Sequence, residues 1–341
     1  MVNDKGYITI IALFIMTIIF ISALFLIYTS SMEYLIVNSS HKNIQAFYLA
    51  EGKIHTVLKK EEYYYEQLMP RMETYIKYGR LGKSFNKKIT IDNKDLFEDD
   101  NNNIVNIDFA EENHRRVIEM KTHSTYSGIT QKVIAKMTMI NDIFEWRIPI
   151  VSSEYILQDR VREFQDYMSY LKEEIRLPNL PSGIMEVETI NYEHIRIVKD
   201  SSQKTIIEFF RNNMVEPVKK EVLKDEDVFM LLKNNYVIPT LSIESDKNSN
   251  KMVLNGVLYI EGDLIIHSDL EFHGILILDN SEIYIDPSSR VNIEGIILLN
   301  NYNGIPLEEM IQIDYNFDII RKYGIYLPKF IDPKIQVIKS Y

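Results

Sequence analysis

The pattern of apolar and polar positions shows one long apolar run near the start of the chain, which is followed by shorter apolar segments. The run extends from Tyr7 to Tyr28 and contains no charged residue, no glycine and no proline. As a helix its 22 residues would extend roughly 33 Å, enough to cross the hydrocarbon core of a bilayer. Because lipid offers no partners to open backbone groups, we expect a transmembrane helix over 7–28.

Helical periodicity continues beyond this run. Residues 30–58 contain no proline, and Ile36, Ile44 and Ile54 are apolar positions among polar neighbours. The pattern predicts one helix from about residue 7 to about residue 60, with an apolar first half and an amphipathic second half. No small-x-small cleavage motif follows the apolar run, which argues against a secretory signal peptide.

A β-hairpin is predicted at 114–140, where two strand-like segments flank Ser127 and Gly128, residues suited to a tight turn. Apolar residues at alternating spacings of four and three then predict a helix from about Glu154 to Arg176, with Ser152 or Ser153 as its N-cap. The segments that follow are predicted as strands at 184–198 and 204–210 and as a short helix at 225–235.

Three segments in the C-terminal third share one pattern. Gly256, Gly274 and Gly295 each precede four apolar residues, a polar residue, and then glycine or asparagine, at spacings of 18 and 21 residues. Short strands that recur at a near-fixed period predict stacked coils, so we expect a small β-solenoid. Glycine and asparagine are expected at its corners, where the backbone turns left-handed.

Composition narrows the possible functions. The formal net charge of −11 argues against nucleic-acid binding, and the lack of cysteine excludes disulfides and thiolate sites. The sequence contains no zinc-protease motif, phosphate-binding loop or nucleophile elbow. His267 and His273 flank one predicted turn, where surface histidines are common. We therefore predict no catalytic, cofactor or metal site, and we expect that the chain is not an enzyme.

Two short segments near the N-terminus resemble a known family. Six residues precede the apolar run, and Gly6 stands at the junction, which resembles the leader of type IV prepilins that a dedicated peptidase cuts after glycine. Residues 45–52 resemble the Ala-x-Tyr-x-Ala-Glu-x-Gly signature of PilX-type minor pilins, although Gly52 follows Glu51 one residue early. The resemblance covers about residues 1–60.

The resemblance implies roles for individual residues. Gly6 would end the leader, Tyr7 would become the mature N-terminus, and Ile11 would be the fifth mature residue. Major pilins carry a glutamate at that position, which pairs with the amino terminus of a neighbouring subunit. Ile11 departs from this pattern, as do many PilX-type proteins, and this implies a subunit at the filament tip. The residues that match the family signature are Ala46, Phe47, Ala50 and Glu51.

The expected fold class is α+β: a long N-terminal transmembrane pilin-like helix, a small antiparallel β region, a helix-containing segment and a short β-solenoid. In pilin-like proteins the hairpin packs on the exposed half of the long helix. The expected regions are a leader at 1–6, a pilin-like region at 7–148, a mixed α/β region at 149–240, and a β-solenoid with a C-terminal cap at 241–341.

The expected function is that of a minor type IV pilin that takes part in pilus assembly at or near the tip. Its expected partners are other pilins and minor pilins, the prepilin peptidase, the membrane through a single span, and a surface or an extracellular ligand. Lys5 and the amino terminus favour a cytoplasmic N-terminus, which places the remainder outside the membrane and, after assembly, on the pilus. The alternative is an ordinary single-pass anchor that carries a structural or adhesive β-solenoid at the cell surface.

Overall fold

A continuous helix of 56 residues, α1 (Asp4–Lys59), begins the fold in the computed structural model. It matches the single long helix expected from the sequence. The structure describes residues 4–341 apart from 98–99, 101, 113–114, 179, 181–182, 190–191, 201, 212–213, 234–237, 246–250 and 303. Predictions that fall on the leader before residue 4 lie outside the described residues.

Five shorter helices and eighteen strands lie in the described part of the chain. The helices are α2 (Glu61–Tyr63), α3 (Met69–Tyr78), α4 (Asp142–Glu145), α5 (Gln158–Glu174) and α6 (Phe317–Gly324). A π-helical turn, Tyr64–Leu68, joins α2 to α3, and 3-10 turns lie at Asn93–Asp95 and Leu307–Glu309. The strands are β1 (Lys88–Thr90), β2 (Ile104–Glu112), β3 (Arg115–Tyr126), β4 (Ile129–Thr138), β5 (Ile150–Ser152), β6 (Met185–Glu188), β7 (His194–Lys199), β8 (Thr205–Phe210), β9 (Lys219–Leu223), β10 (Asp227–Leu232), β11 (Thr240–Ser245), β12 (Met252–Ile260), β13 (Asp263–Ile266), β14 (Leu270–Asp279), β15 (Ile283–Ile285), β16 (Val291–Asn300), β17 (Ile311–Tyr315) and β18 (Ile335–Ser340).

The first sheet is antiparallel, with strand order β1-β2-β3-β4-β18. Strands β3 and β4 form the expected hairpin, and Ser127 and Gly128 turn it with positive φ at both positions, 47° and 81°, as type I′ turns require. The last strand, β18, was expected in a C-terminal cap. Instead it returns to this sheet and pairs with β4, whose outer edge would otherwise leave its backbone groups open.

The second sheet is parallel, with order β17-β16-β14-β12-β10-β6, and β5 also pairs with β16. The third sheet has order β15-β13-β11-β7-β8-β9, and its β7, β11, β13 and β15 are also parallel. From β10 to β16 successive strands alternate between these two sheets. The predicted repeat is confirmed as strand register, because Gly256, Gly274 and Gly295 pair with one another across neighbouring strands.

The glycines of the repeat lie inside strands, which corrects the prediction that they form corners. A Cβ on Gly274 would lie 1.9 Å from the carbonyl oxygen of Gly256, and one on Gly295 would lie 1.9 Å from that of Gly274. Only glycine permits so close an approach of neighbouring backbones. The asparagines behave as predicted, because Asn280 and Asn301 both have φ of 53° at the turns.

Two further predictions are wrong at the level of single elements. The predicted helix at 225–235 is strand β10, which pairs with β6 and β12; a short apolar run alone does not distinguish helix from strand. Helix α5 begins at Gln158 and not at about Glu154, and its N-cap is Leu157. Ser152 belongs instead to β5, and its hydroxyl accepts the backbone N–H of Glu154.

The second sheet separates two hydrophobic cores. Alternate residues of its strands point to opposite sides: Ile277 belongs to the first core, with the second half of α1, the first sheet and α5. Leu276 belongs to the second core, between the second and third sheets. Burial on both faces explains the continuous apolar runs of the repeat, because a parallel sheet covered on both sides needs no polar face.

The coarser part of the expected fold class, a long N-terminal helix followed by mixed α and β structure, is confirmed. The chain has a long apolar N-terminal helix followed by mixed α and β structure, with one antiparallel sheet and two sheets dominated by parallel pairing.

Candidate membrane and assembly helix

The first half of α1 packs against nothing in the described chain. An 18-residue window within Tyr7–Lys59 has a mean hydropathy of 3.1, and none of it is buried. Large apolar side chains are exposed on every side of the helix, for example Phe14 at 65% and Met16 at 74%. A helix that is apolar all round needs an apolar environment, so its length and composition suit it to cross a membrane.

Two threonine hydroxyls in this half are hydrogen-bonded within the helix itself. The Thr17 hydroxyl donates to the Leu13 carbonyl oxygen at 2.7 Å, and the Thr29 hydroxyl donates to that of Phe25 at 2.9 Å. In lipid an unpaired hydroxyl is costly, and these bonds remove that cost.

The second half of α1 is built into the first core. Ala46, Ala50, Ile54 and Val57 recur at helical spacing and are completely buried, and α1 packs there on β3 and β4. The two alanines let the helix approach the sheet closely. The uncovered apolar half of α1 thus continues directly, without a linker, into the half that packs in the folded domain.

Two polar contacts fix this half of the helix against the sheet. The Gln131 side-chain amide on β4 donates to the Asn43 side-chain oxygen at 2.9 Å. The ammonium of Lys53 donates to the carbonyl oxygens of Asn102 at 2.6 Å and His123 at 2.8 Å. Burial lowers the pKa of Lys53, and the nearby Asp100 carboxylate opposes this effect. Lys53 was not among the residues predicted from the sequence, although a lysine inside the buried stripe of an amphipathic helix is a visible signal.

The proposed processing residues lie together on the uncovered half of α1. Gly6 and Tyr7 are consecutive in the helix, and Tyr7 is 69% exposed. Ile11 follows one turn later and is 39% exposed, so its side chain faces the surroundings of the helix and not the folded part.

The residues of the family signature divide between two faces of the helix. Ala46 and Ala50 are completely buried against the sheet, and Phe47 is partly buried against the first core. Glu51 lies on the flank of the helix, with its carboxylate 3.8 Å from the imidazole of His55 one turn later. Packing therefore accounts for the two alanines, whereas the Glu51 side chain remains 26% exposed on the flank of the helix.

No group of three or more histidine, aspartate and glutamate side chains is placed to hold a metal ion within the described residues. His273 lies between two carboxylates on its own and the neighbouring strand, 3.4 Å from Glu271 and 3.0 Å from Glu294. His267 is exposed at the end of β13. The two histidines of the predicted turn therefore have separate surroundings.

Comparison with known proteins does not identify a function, so the function is inferred from α1 and the folded part attached to it. No family model, no curated protein and no solved structure matches the chain.

Proposed function

We propose that the chain is a minor type IV pilin of the PilX type, which takes part in pilus assembly at or near the filament tip. The observation that carries the proposal is the continuity of α1, whose apolar half is uncovered while its second half belongs to the core of an antiparallel sheet. Such a subunit first sits in the membrane and then exchanges lipid for the apolar helices of other pilins. Its folded part stays outside the membrane in both states.

The C-terminal strands support a further part of this proposal, a short β-solenoid carried beyond the pilin-like region. Strands alternate between two sheets from β10 to β16, and equivalent residues stack from coil to coil. At the turns, the Asn301 amide donates to the side-chain oxygen of Asn280 at 3.1 Å. The Asn300 amide likewise donates to Asp279 at 2.7 Å. A module of this kind offers a rigid surface for contact with a partner or a substratum.

Ile11 supports placement at the tip. An isoleucine cannot neutralise the amino terminus of a neighbouring subunit, and an unpaired amine inside an apolar filament would cost several kcal/mol. A single copy with no subunit above it incurs this cost once at most. We therefore expect the protein to be rare relative to the major pilin.

Processing at Gly6 is the decisive test, because an ordinary single-pass anchor, the alternative function, keeps its first residues. The intact mass of the membrane-inserted protein should correspond to a chain that begins at Tyr7. Gly6→Leu should retain the full-length mass and stay out of the pilus fraction. Asn3→Leu is the control, a bulky change in the leader that leaves the junction intact. Normal maturation of Gly6→Leu would contradict the pilin proposal and favour the anchor.

Location is tested separately by immunogold labelling of pili with antibodies against the folded part. Gold at one end of the fibres is the expected result. Gold spread evenly along the shaft would refute placement at the tip, even if Gly6 is processed.

A further inference from the structure

A cavity of about 490 Å³ lies where the loop after β16 meets the turn after β5 and one side of α5. Its lining comes from residues 152–155, from Gln165 on α5, and from the segment 299–307. The volume falls in the range of small-molecule sites. The lining includes no residue of α1, so the cavity is separate from the proposed membrane and assembly helix.

The floor of the cavity is formed by buried residues. Leu299 and Leu307 are 2% and 1% exposed and belong to the second core. Ser152 is 7% exposed, and its hydroxyl accepts the backbone N–H of Glu154 at 3.2 Å, which holds the turn after β5. A ligand would therefore meet a surface that is already ordered and would not have to order it.

Two tyrosine rings contribute to the walls. The Tyr302 hydroxyl donates to the Ile305 carbonyl oxygen at 2.9 Å, and a Cβ on Gly304 would lie 2.2 Å from the same hydroxyl. The loop backbone thus packs directly against the end of this ring and fixes it. Tyr155, which is 37% exposed, supplies the second ring. The face of a tyrosine ring is electron-rich and attracts cations.

The side-chain amides of the lining already use donors within the protein. The Asn301 amide donates to the Asn280 side-chain oxygen at 3.1 Å, and the Gln165 amide donates to the Ser153 hydroxyl at 3.5 Å. Among the described residues no group donates to the side-chain oxygen of Asn301 or Gln165. The cavity therefore offers hydrogen-bond acceptors to a ligand more readily than donors.

The charge at the cavity is negative. Glu154 is the one charged side chain among the described residues that line it. Burial raises the pKa of the Tyr155 hydroxyl, and the nearby carboxylates of Glu308, Glu154 and Glu309 raise it further. In the described part of the chain, no basic side chain forms an ion pair with any of these three carboxylates. A ligand of this cavity should therefore carry positive charge.

We propose that this cavity binds a primary ammonium group on an aliphatic stem, either a small alkylamine or a lysine side chain of another protein. The ammonium donates to Glu154 and the amide oxygens, and the stem lies against Tyr155 and Tyr302. A carboxylate or phosphate would be repelled by Glu154. A neutral sugar would leave the carboxylate without a counter-ion. An ammonium group has three donors and no acceptor, which matches an acceptor-rich, negatively charged lining.

The test is titration calorimetry of the full chain in phosphatidylcholine nanodiscs, with empty nanodiscs as the blank. The first two probes are Nα-acetyl-lysine methylamide and Nα-acetyl-norleucine methylamide, which lacks the ammonium group. The lysine derivative should bind saturably, and the norleucine derivative about tenfold more weakly or less. The third probe, n-butylamine, has the lysine stem without the peptide groups. Equal binding of n-butylamine would assign the site to free amines, and much weaker binding would assign it to a lysine of a protein.

Glu154→Gln should weaken binding of the lysine derivative about tenfold. The side chain is exposed, so this variant should melt as the original protein does. Glu216→Gln is the matched control, because it removes the same charge from an exposed position in the loop between β8 and β9. It should bind the lysine derivative normally.

The proposal is overturned if the lysine derivative shows no saturable binding above the blank, or if the norleucine derivative binds equally well. It is also overturned if Glu154→Gln and Glu216→Gln bind the lysine derivative alike. Pilus assembly is not measured, so failure here leaves the function proposed above unaffected.

Discussion

The ammonium nitrogen of Lys53 lies 2.6 Å from a carboxylate oxygen of Asp100, and both side chains are almost completely buried. Asp100 also accepts the Ser124 hydroxyl at 2.6 Å and the Asn102 backbone N–H at 3.1 Å. Lys53 donates in addition to the Asn102 and His123 carbonyl oxygens. The pair is therefore hydrogen-bonded on both sides, and it fixes the second half of α1 to the loop before β2 and to β3.

Removing one partner of this pair should be strongly destabilising. Lys53→Met leaves the Asp100 charge buried without its counter-ion, which typically costs about 3–5 kcal/mol. Thermal unfolding of the detergent-solubilised chain measures the effect. Lys59→Met, on the exposed side of the same helix, is the control and should change the stability by about 0.5 kcal/mol or less. Equal melting of the two variants would show that the pair does not hold α1.

Alanine should have opposite effects at two glycines. Gly274→Ala places a Cβ 1.9 Å from the Gly256 carbonyl oxygen, so neighbouring strands must separate, at a cost of about 2–3 kcal/mol or more. Gly52→Ala meets no atom within 4 Å and lies inside α1, so it should stabilise by about 0.5–1 kcal/mol. Chemical denaturation of both variants gives the two signs. A neutral Gly274→Ala would mean that the strands are not in this register.

A charge in the second core should be poorly tolerated. Leu276 is 2% exposed between the second and third sheets, and Leu276→Asp would bury a carboxylate there without a partner, at a cost of several kcal/mol. Loss of cooperative melting of the full chain is the expected result. Val222→Asp, at a position 52% exposed on β9, is the matched control and should melt almost normally. If both variants melt alike, Leu276 does not face a core.

Glu145 should make the stability depend on pH. Burial raises its pKa from 4.5 to about 7; Arg115 and Arg147 oppose this, and Asp142 adds to it. Tyr315 faces the same carboxyl from β17. The folded state therefore binds the proton more tightly than the unfolded state, so this group costs stability progressively as pH rises from about 4.5 to about 7. The full cost above pH 7 is about 3 kcal/mol.

Glu145→Gln should therefore raise the melting temperature at pH 8 and leave it almost unchanged at pH 4. Melting curves across this range, recorded beside those of the original protein, give the difference directly. Glu66→Gln, an exposed position in the π-helical turn, should shift the melting temperature little at either pH. A Glu145→Gln effect that is the same at pH 4 and pH 8 would show that Glu145 titrates normally in the folded protein.

Local physical chemistry determined much of the fold. The absence of charge, glycine and proline in 7–28 allowed α1 to be predicted, because no other backbone structure satisfies such a segment in lipid. Ser127 and Gly128 determined the hairpin turn through their left-handed backbone. The aligned glycines at 256, 274 and 295 indicated the strand register, because the same close approach between the backbones of neighbouring strands recurs at each of them.

Contacts between distant segments decided the remainder. β10 is a strand because β6 and β12 bind its two edges, whereas its own residues suit a helix equally well. β18 completes the first sheet by pairing with β4, which ends at Thr138, although almost 200 residues of chain lie between the two strands. A cavity lined by Arg115, Glu145 and Phe317 likewise assembles residues that lie far apart in the sequence. Such pairings cannot be predicted from the local sequence, because their free energy arises only when distant segments meet and the loops between them close.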